Sequence, residues 1–389
     1  MIKQTEFILK TNESMSQEQL YSIALTRLSL FNLTALLQLY KAAGSATAIF
    51  ENHKDIRKIL PDASTYLVEA LQRLDQYVDF AAKELEYDDA HGIDVICFND
   101  ANYPQRLREC NDAPLVLYQQ GSTDLNKLHT INIIGTRNCT SYGRDLIRSF
   151  VHDLQSLCPD TLVFSGLAYG VDICAHRECL ANGLPTVGVV AHGLDFIYPR
   201  THTQTAAEMC EQGGGVITEY PINTQPKPKN FVQRNRIVAG CSDATLLVES
   251  ANKGGGLITC SIARSYSRDV FAFPGAIGAE YSEGCNRLIR DNEANLITSA
   301  FDFVKAMNWE NDLKLEKAHQ NGIERTLFPT LTEEEKQIVE ALQTHNDLQI
   351  NMLSVQTNLP IARLTALLFE LEMKGIIRTM AGGCYHLLS

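Results

Sequence analysis

The chain has 389 residues, 45% of them apolar and 21% charged, which is the balance of a folded globular protein with two or three domains. Its first residues are polar and charged where a signal peptide needs an apolar run, and no stretch approaches the roughly 18 consecutive apolar residues of a membrane span, so we expect a cytoplasmic protein without membrane contact. The net charge of −12 argues against a protein coated in basic residues, but it leaves room for a local basic cleft.

Residues 1–90 are expected to form a helical domain of the SAM or helix-hairpin-helix kind. Gly44 and Pro61 interrupt a pattern of apolar residues at i, i+3 and i+4 spacing. The residues in this pattern are Leu20, Ile23, Ala24 and Leu28, and then Leu33, Leu36, Leu37 and Tyr40. The pattern does not decide whether the domain binds a partner or DNA, or packs against the rest of the chain.

From residue 91 to residue 310, short β-branched runs alternate with segments of helical length. Seven runs have the length and composition of buried strands: INII (131–134), TLVF (161–164), PTVGVV (185–190), GVITEY (215–220), ATLLVES (244–250), DVFAF (269–273) and ANLIT (294–298). This alternation predicts an α/β fold, with an extended Rossmann-like, mostly parallel sheet and helices on both faces.

Residues 311–328 are charged and aperiodic, which is typical of a linker. Residues 329–389 are expected to form a winged helix. Thr332 and Glu335 give the capping-box signature of a first helix, two further helices follow, and the strings GIIRTM and CYHLL flank a Gly-Gly turn. The third helix, IARLTALLFELEMKG, would be the recognition helix.

The charge of this C-terminal domain is opposite to that of a DNA-reading module. Residues 327–389 hold seven acidic residues and four basic ones, Lys336, Arg363, Lys374 and Arg378. The resulting net charge of −3 favours protein contact over DNA contact and opposes a transcription factor.

Parallel sheets bind ligands at the carboxyl ends of their strands, so the loops at those ends carry the most information about function. After INII, Gly135 permits close backbone approach, Thr136 and Arg137 follow, and Thr140 is placed to cap the next helix. The next strand ends in a loop of the same kind, SGLAYG (165–170). Each loop alone is compatible with a simple turn, but two adjacent loops and an arginine favour a phosphate site.

A third segment, PKPKNFVQRNR (226–236), is basic. Residues 220–242 contain four cations and no acid, and residues 125–144 contain three cations and no acid. Phe231 offers a stacking surface for a base among these cations, although a solvated helix face is the alternative. Three glycines at 254–256 open a fourth loop that allows backbone approach to a ligand.

Several familiar chemistries are missing from the sequence. The absence of GxxxxGK[ST] excludes a P-loop ATPase, and the absence of GxGxxG with a ribose-binding acid after the first strand disfavours a dinucleotide dehydrogenase. The eleven cysteines occur singly, which indicates reduced buried thiols. Asp172 and His176 could bind a metal together, or one could orient the other as a general base. A pair at this spacing more often stabilises the helix that carries it. We expect no metal, no cofactor and no catalytic residue.

Ordered strings across residues 95–300 resemble the DNA-processing protein A family (DprA/Smf). They are IIGTRNCTSYG, SGLAYGVDICAH, VVAHGLDFIYP, GGGVITEYP, FVQRNRIVAG, VES with KGGGLIT, FAFPG and EGCNRLI, and YPQRLRECNDAPLVLYQQG precedes them. The helical N-terminus and the winged helix match the common three-part layout of that family.

The resemblance implies a recombination mediator that binds and protects single-stranded DNA in a positive pocket of the Rossmann fold. It also implies a homodimer formed through that domain, and the loading of a RecA-type recombinase, chiefly during natural transformation. The expected partners are therefore single-stranded DNA, the recombinase and a second copy of the chain. The predicted DNA- or phosphate-binding residues are Gly135, Thr136, Arg137, Thr140, Ser165, Gly166, Gly170, Lys229, Phe231, Arg234, Asn235, Arg236, Gly255 and Thr259.

Two positions depart from the family pattern. The usual hydroxyl-glycine-hydroxyl loop is Gly254-Gly255-Gly256 here, which loses two hydrogen-bonding groups. The usual Gly-Ala after the LI helix is Asn292-Glu293, which adds an acid.

The alternative function is a nucleotide-binding sensor or an enzyme that acts on free nucleotides, because related Rossmann-like domains cleave the N-glycosidic bond of nucleoside monophosphates. Those hydrolases place a catalytic glutamate with a PGG-x-GT-xx-E loop. Here KGGGLIT is followed by CSIARSYS, with no acid before Asp269, which disfavours catalysis.

Overall fold

The computed structural model describes residues 17–28, 33–309, 331–344, 348–374, 376–380 and 384–387. They fall into two compact units, one within residues 1–309 and the other within residues 310–389. The predicted linker and the predicted Gly-Gly turn lie outside the described residues. None of the helices in the described ranges has the length and apolar content that crossing a membrane requires.

The first unit begins with helices that pack against the sheet. Tyr21 stacks on Phe50 with ring centroids 3.9 Å apart, and Gln19 Nε2 donates to the carbonyl oxygen of Val95 at 2.8 Å. The apolar side chains of these helices share one core with the first strands. The helices are α1 Gln17–Thr26, α2 Leu33–Ala43, α3 Ala46–Asn52, a 3₁₀-helix His53–Lys58, α4 Thr65–Leu71, a 3₁₀-helix Leu74–Tyr77 and α5 Val78–His91.

A nine-stranded sheet follows, in the order β1-β2-β6-β5-β4-β3-β7-β8-β9. The pairs β1–β2 and β2–β6 are antiparallel, and the other pairs are parallel. The predicted α/β class with a mostly parallel sheet is confirmed. The strands are β1 Ile93–Cys97, β2 Val116–Gln120, β3 Thr130–Ile134, β4 Leu162–Ser165, β5 Thr186–Val189, β6 Gly215–Thr218, β7 Ala244–Leu247, β8 Asp269–Ala272 and β9 Asn295–Leu296.

The chain reverses direction across the sheet between β3 and β7. From β3 it adds β4, β5 and β6 on one side, and it then returns to place β7, β8 and β9 on the other side. Right-handed crossovers therefore put α7 to α9 on one face and α10 to α12 on the other. Folds of this kind bind ligands in the crevice that such a reversal opens at the carboxyl ends of the strands. The helices are α6 Gln105–Arg108, α7 Ser141–Leu157, α8 Val171–Asn182, a 3₁₀-helix Arg200–His202, α9 Thr203–Glu211, α10 Pro228–Gly240, α11 Gly255–Ser265, α12 Glu283–Arg290 and α13 Ala300–Ala306.

The second unit has the predicted winged-helix fold. Strand β12 pairs antiparallel with both β10 and β11, and the helices bury a leucine-rich core. The predicted capping box is formed, since Glu335 N donates to Thr332 Oγ1 at 3.3 Å and Thr332 N donates to Glu335 Oε2 at 2.8 Å. The elements are α14 Glu333–Thr344, β10 Leu348–Gln349, α15 Ile350–Thr357, α16 Ile361–Met373, β11 Ile377–Met380 and β12 Cys384–Leu387.

Candidate nucleic-acid interface

A cavity of about 280 Å³ opens at the carboxyl ends of β3, β4 and β7. Its walls come from the loops after these strands, from α10 and from the first turn of α11. The cavity thus lies in the crevice that the reversal of strand order creates. The sequence-predicted residues that line it are Gly135, Thr136, Arg137, Gly166, Phe231, Arg234, Asn235, Gly255 and Thr259.

The loop after β3 is held so that one arginine projects from it. A Cβ at Gly135 would lie 2.6 Å from Cγ2 of Val171, so only glycine lets α8 pack this closely. Thr136 N donates to the carbonyl oxygen of Glu249 at 2.8 Å, and Val171 N donates to the carbonyl oxygen of Thr136 at 3.1 Å. These bonds tie the loop to its neighbours, and Arg137 is exposed at the tip.

Aromatic rings lie beside Arg137. Its guanidinium carbon is 5.5 Å from the ring centroid of Phe231 on α10, which is a cation–π distance. A groove of about 400 Å³ continues past Phe231 and is lined by Tyr169 and Tyr198, which are 49% and 45% exposed. Exposed rings next to a cation are suited to stacking on nucleic-acid bases.

Tyr169 and Tyr198 are candidate functional residues that the sequence analysis missed. Both lie inside strings that carry the family resemblance, SGLAYG and VVAHGLDFIYP. The available signal is an aromatic residue in a loop at the carboxyl end of a strand, where a ligand rather than the core is within reach.

Arg234 and Asp172 form the floor of the cavity. Arg234 is 4% exposed, and its Nη1 donates to the carbonyl oxygen of Val189. Gly166 leaves the space for this guanidinium, because a Cβ at that position would overlap both Arg234 and Asp172. Burial lowers the pKa of Arg234, and the charge of Asp172 opposes that effect. Burial raises the pKa of Asp172, against the lowering effect of Arg234.

The N-terminus of α11 closes the cavity. Gly254 is the N-cap residue, and within the described part of the chain no side chain caps this helix. The N–H groups of the first turn and the helix dipole therefore favour an anion at this end. A Cβ at Gly255 would meet nothing within 4 Å, so the surface is open to a ligand there.

Two predicted residues outside the cavity are bound within the protein. Thr140 caps α7, and its hydroxyl donates to Glu249 Oε1 at 2.6 Å. Ser165 is fully buried, and its hydroxyl donates to the carbonyl oxygen of Ile133 at 2.6 Å. Both hydroxyls stabilise the loops that carry the site.

Three more predicted residues lie outside the cavity. Arg236 is 4% exposed in an ion pair with Glu219. Residues two positions apart in an α-helix point about 200° away from each other, so Arg234 and Arg236 cannot face the same cavity. Lys229 is exposed in the first turn of α10. Gly170, with φ of 80°, packs behind the loop after β3.

His176 is a core residue. It is fully buried, and its Nδ1 lies 2.7 Å from Oγ1 of Thr186. Burial lowers its pKa to about 3, so the ring is neutral at physiological pH. In the ranges that the structure describes, no group of three His, Cys, Asp or Glu residues could hold a metal ion. This geometry fits the bracing alternative for the Asp172–His176 pair.

Family comparison agrees with the fold. A family model described as DNA recombination-mediator protein A matches residues 94–308, and one described as the DprA winged helix domain matches residues 326–383. The chain belongs to this recombination-mediator family.

Relatives of this DprA family cover most of the chain. Protein Smf of Escherichia coli is 31% identical over 293 residues, which are 73% of this chain and 75% of that protein. The X-ray structure of DNA processing protein A from Streptococcus pneumoniae is 30% identical, with a TM-score of 0.62 over 75% of this chain and 98% of that one. A structure of DNA processing protein A from Helicobacter pylori, described for its single-stranded DNA binding mode, is 27% identical, with a TM-score of 0.50 over 56% of this chain and 96% of that one.

The two departures from the DprA pattern have local structural consequences. Glu293 pairs with Arg264 Nη1 at 2.9 Å, which balances the added acid. Asn292 adopts a φ of 55°, the left-handed conformation that glycine fills most easily. At Gly254 and Gly256 there is no hydroxyl, so neither side chain offers a ligand a hydrogen bond, and the N–H of Gly254 already donates to the carbonyl oxygen of Ala251 at 3.0 Å.

Proposed function

We propose that this chain is a single-stranded DNA-binding recombination mediator that protects the strand and loads a RecA-type recombinase, chiefly in natural transformation. The Arg137–Phe231 pair carries the proposal. A phosphate-binding cation and a base-stacking ring lie 5.5 Å apart at the rim of a cavity that has Arg234 at its floor. A polymer that alternates phosphate and base matches this arrangement better than free phosphate does.

The proposed mechanism is electrostatic capture of the backbone. Arg137 is exposed and presents a planar fork that fits two phosphate oxygens. The buried Arg234 and the N-terminus of α11 attract a second phosphate, while Phe231, Tyr169 and Tyr198 stack on bases.

The proposed partners follow from the family and from this ligand. The Helicobacter pylori relative, described for its single-stranded DNA binding mode, supports the same ligand here. The description of the family as recombination mediators supports the recombinase as a partner, and a cytoplasmic location is proposed on the same ground. A homodimer through the Rossmann-like domain is proposed from the family resemblance alone.

We infer a binding protein rather than a nucleotide hydrolase. A hydrolase of the related type needs a glutamate on the helix after the glycine loop, whereas α11 reads GGLITCSIARS. The carboxyl group that does line the cavity, Asp172, accepts from Ala168 N at 3.4 Å and lies beside Arg234. Its contacts are with the protein's own cation and backbone.

Replacing Arg137 by Ala tests the site. We expect affinity for single-stranded DNA to fall by about tenfold or more, equally for all sequences, and the slope of log affinity against log salt to shrink by about 0.7, because one phosphate contact is lost. Arg73→Ala removes an exposed arginine from the N-terminal helices and is the matched control. A gel-shift titration in which Arg137→Ala binds like the parent would exclude the proposed site.

A recombinase assay tests the mediator role. On single strands precoated with single-strand-binding protein, the chain should shorten the lag before RecA begins to hydrolyse ATP. Arg137→Ala should lose this effect because it does not hold the strand. If the parent protein binds DNA tightly but leaves the lag as long as it is without the protein, the mediator role is contradicted and only DNA binding remains.

A further inference from the structure

A second cavity, of about 530 Å³, lies beside the site already described. It opens at the carboxyl ends of β7 and β8, next to the first turn of α7. Five of the ten residues that line it are aromatic or apolar: Tyr142, Tyr281, Pro274, Ala276 and Ala279.

The loop after β3 forms a ridge between the two cavities. Thr136 and Arg137 line the first cavity, whereas Thr140 lines the second. Asn138, which follows Arg137, is exposed, and its Nδ2 donates to the hydroxyl of Tyr281 at 3.1 Å. Four residues span at most about 14 Å, so neighbouring nucleotides can straddle this ridge.

Hydrogen bonds to the protein anchor both tyrosines. The hydroxyl of Tyr142 donates to the carbonyl oxygen of Pro274 at 2.7 Å. Ser250 N donates to the carbonyl oxygen of Tyr281 at 2.7 Å, which fixes the second tyrosine to the end of β7. Tyr142 is nevertheless 46% exposed. A ring that is anchored through its hydroxyl and open to solvent is preorganised for stacking.

The charged residues of this cavity select against phosphate. Those that line it are Glu249 and Glu280, both acids. Glu249 is 3% exposed, and its two carboxylate oxygens accept from the backbone N–H and the hydroxyl of Thr140. Glu280 is exposed at the rim. Carboxylates repel phosphate but accept hydrogen bonds from the N–H groups at base edges.

We propose that the second cavity is a pocket for one nucleobase of the same strand whose phosphate Arg137 holds. This inference rests on the proposed function. The strand crosses the ridge at Arg137, with one base stacked on Phe231 and a nearby base against Tyr142 and Tyr281. A basic ridge between two aromatic walls fixes the path of the strand across the carboxyl edge of the sheet.

A fluorescent base tests this pocket with the full-length protein. The probe is an oligothymidylate in which a single 2-aminopurine, whose fluorescence is quenched by stacking, is moved one position at a time. The parent should quench it at two separate positions. Tyr142→Ala and Tyr281→Ala should each abolish quenching at one position and weaken binding by about tenfold, since one base–ring stack is lost. Phe231→Leu should abolish quenching at the other position.

The controls separate this proposal from the proposed function. Tyr66→Ala removes an exposed tyrosine of α4 and should leave the quenching at both positions unchanged. Tyr281→Phe keeps the ring and should restore the quenching that Tyr281→Ala loses. If the Tyr142→Ala and Tyr281→Ala variants quench 2-aminopurine normally at both positions, or lose quenching at both positions together, the separate base pocket is contradicted. The proposed DNA-binding function is not affected by either result. A parent protein that binds no single strand overturns the proposed function itself.

Discussion

Asp172 is a carboxyl group at the floor of a cavity that we propose holds phosphate. It is 8% exposed, and Arg234 lies next to it across Gly166. When Asp172 is ionised, it competes with a phosphate for Arg234. When it is protonated, it leaves that cation to the ligand. Binding of DNA should therefore be linked to uptake of a proton.

We expect the affinity for single-stranded DNA to fall as pH rises through the raised pKa of Asp172. Burial lowers the pKa of the nearby His176 to about 3, so this ring stays neutral over that rise, and burial also lowers the pKa of His192. Asp172→Asn cannot ionise, so its profile should be flat and its affinity at high pH should exceed that of the parent. Fluorescence anisotropy from about pH 5 to about pH 9 measures this linkage. Equal weakening of the variant at every pH would mean that Asp172 only positions Arg234.

At the scale of single residues, the sequence predicts which loop residues reach the cavity better than it predicts which helix residues do. Gly135 and Arg137 are predictable because they directly follow a strand, and the ends of parallel strands meet at one edge. Arg236 is not, because the basic composition of 226–236 does not say which side of α10 each cation faces. The outward direction of Tyr169 and Tyr198 depends on loops packed by residues far away in the chain.

Helix α5 carries two buried acids against the sheet. Glu84 and Asp88 lie one turn apart and are 2% and 1% exposed. Glu84 Oε1 accepts from Ile222 N at 2.6 Å, but among the described residues neither oxygen of Asp88 has a hydrogen-bond partner. Burial raises the pKa of Glu84 to about 7, and burial together with the charge of Glu84 raises that of Asp88 to about 8. Below these pKa values, both acids carry protons in the folded protein.

The free energy of unfolding should consequently fall as pH rises. The unfolded chain ionises Asp88 near its ordinary value of 3.8, whereas the folded chain keeps the proton until about 8, so stability is lost between these values and levels off above them. Asp88→Asn should flatten this dependence and stabilise the protein near the upper value. Urea denaturation across this pH range measures it, with the exposed Glu86→Gln on the same helix as control. A pH dependence that is the same in Asp88→Asn and the parent would contradict this reading of α5.

At the scale of elements, the strands β3 to β9 are predictable and β1 and β2 are not. Strands β3 to β8 are mostly runs of apolar residues, as expected for strands covered on both faces, whereas the edge strand β9 is short and both of its residues are exposed. In β1, Asp94 is exposed and interrupts the apolar residues, and β2 ends in two glutamines, so neither strand is a continuous apolar run. Their antiparallel pairing also interrupts the strand–helix alternation from which the sheet was predicted.

The whole molecule is acidic, yet its proposed DNA site is not. The acids near the site are engaged by the protein itself, as Glu249 is by Thr140 and Glu219 by Arg236. In the winged helix, three of the four basic residues form ion pairs with acids of the same unit: Lys336 with Glu333, Arg363 with Glu334, and Lys374 with Glu335. That unit therefore offers little positive charge to DNA, and protein contact remains our prediction for it. The predicted domain boundaries near residues 90, 310 and 328 also remain predictions.

A salt titration that compares single- and double-stranded DNA of the same sequence tests whether this protein binds single-stranded DNA in preference to the duplex. The rings of Phe231, Tyr169 and Tyr198 need bases that are not already paired and stacked. We predict tighter binding to the single strand at every salt concentration, with a slope of log affinity against log salt that grows by about 0.7 for each phosphate held. Preferential binding of the duplex, or an affinity for single strands that does not depend on salt, would contradict the account.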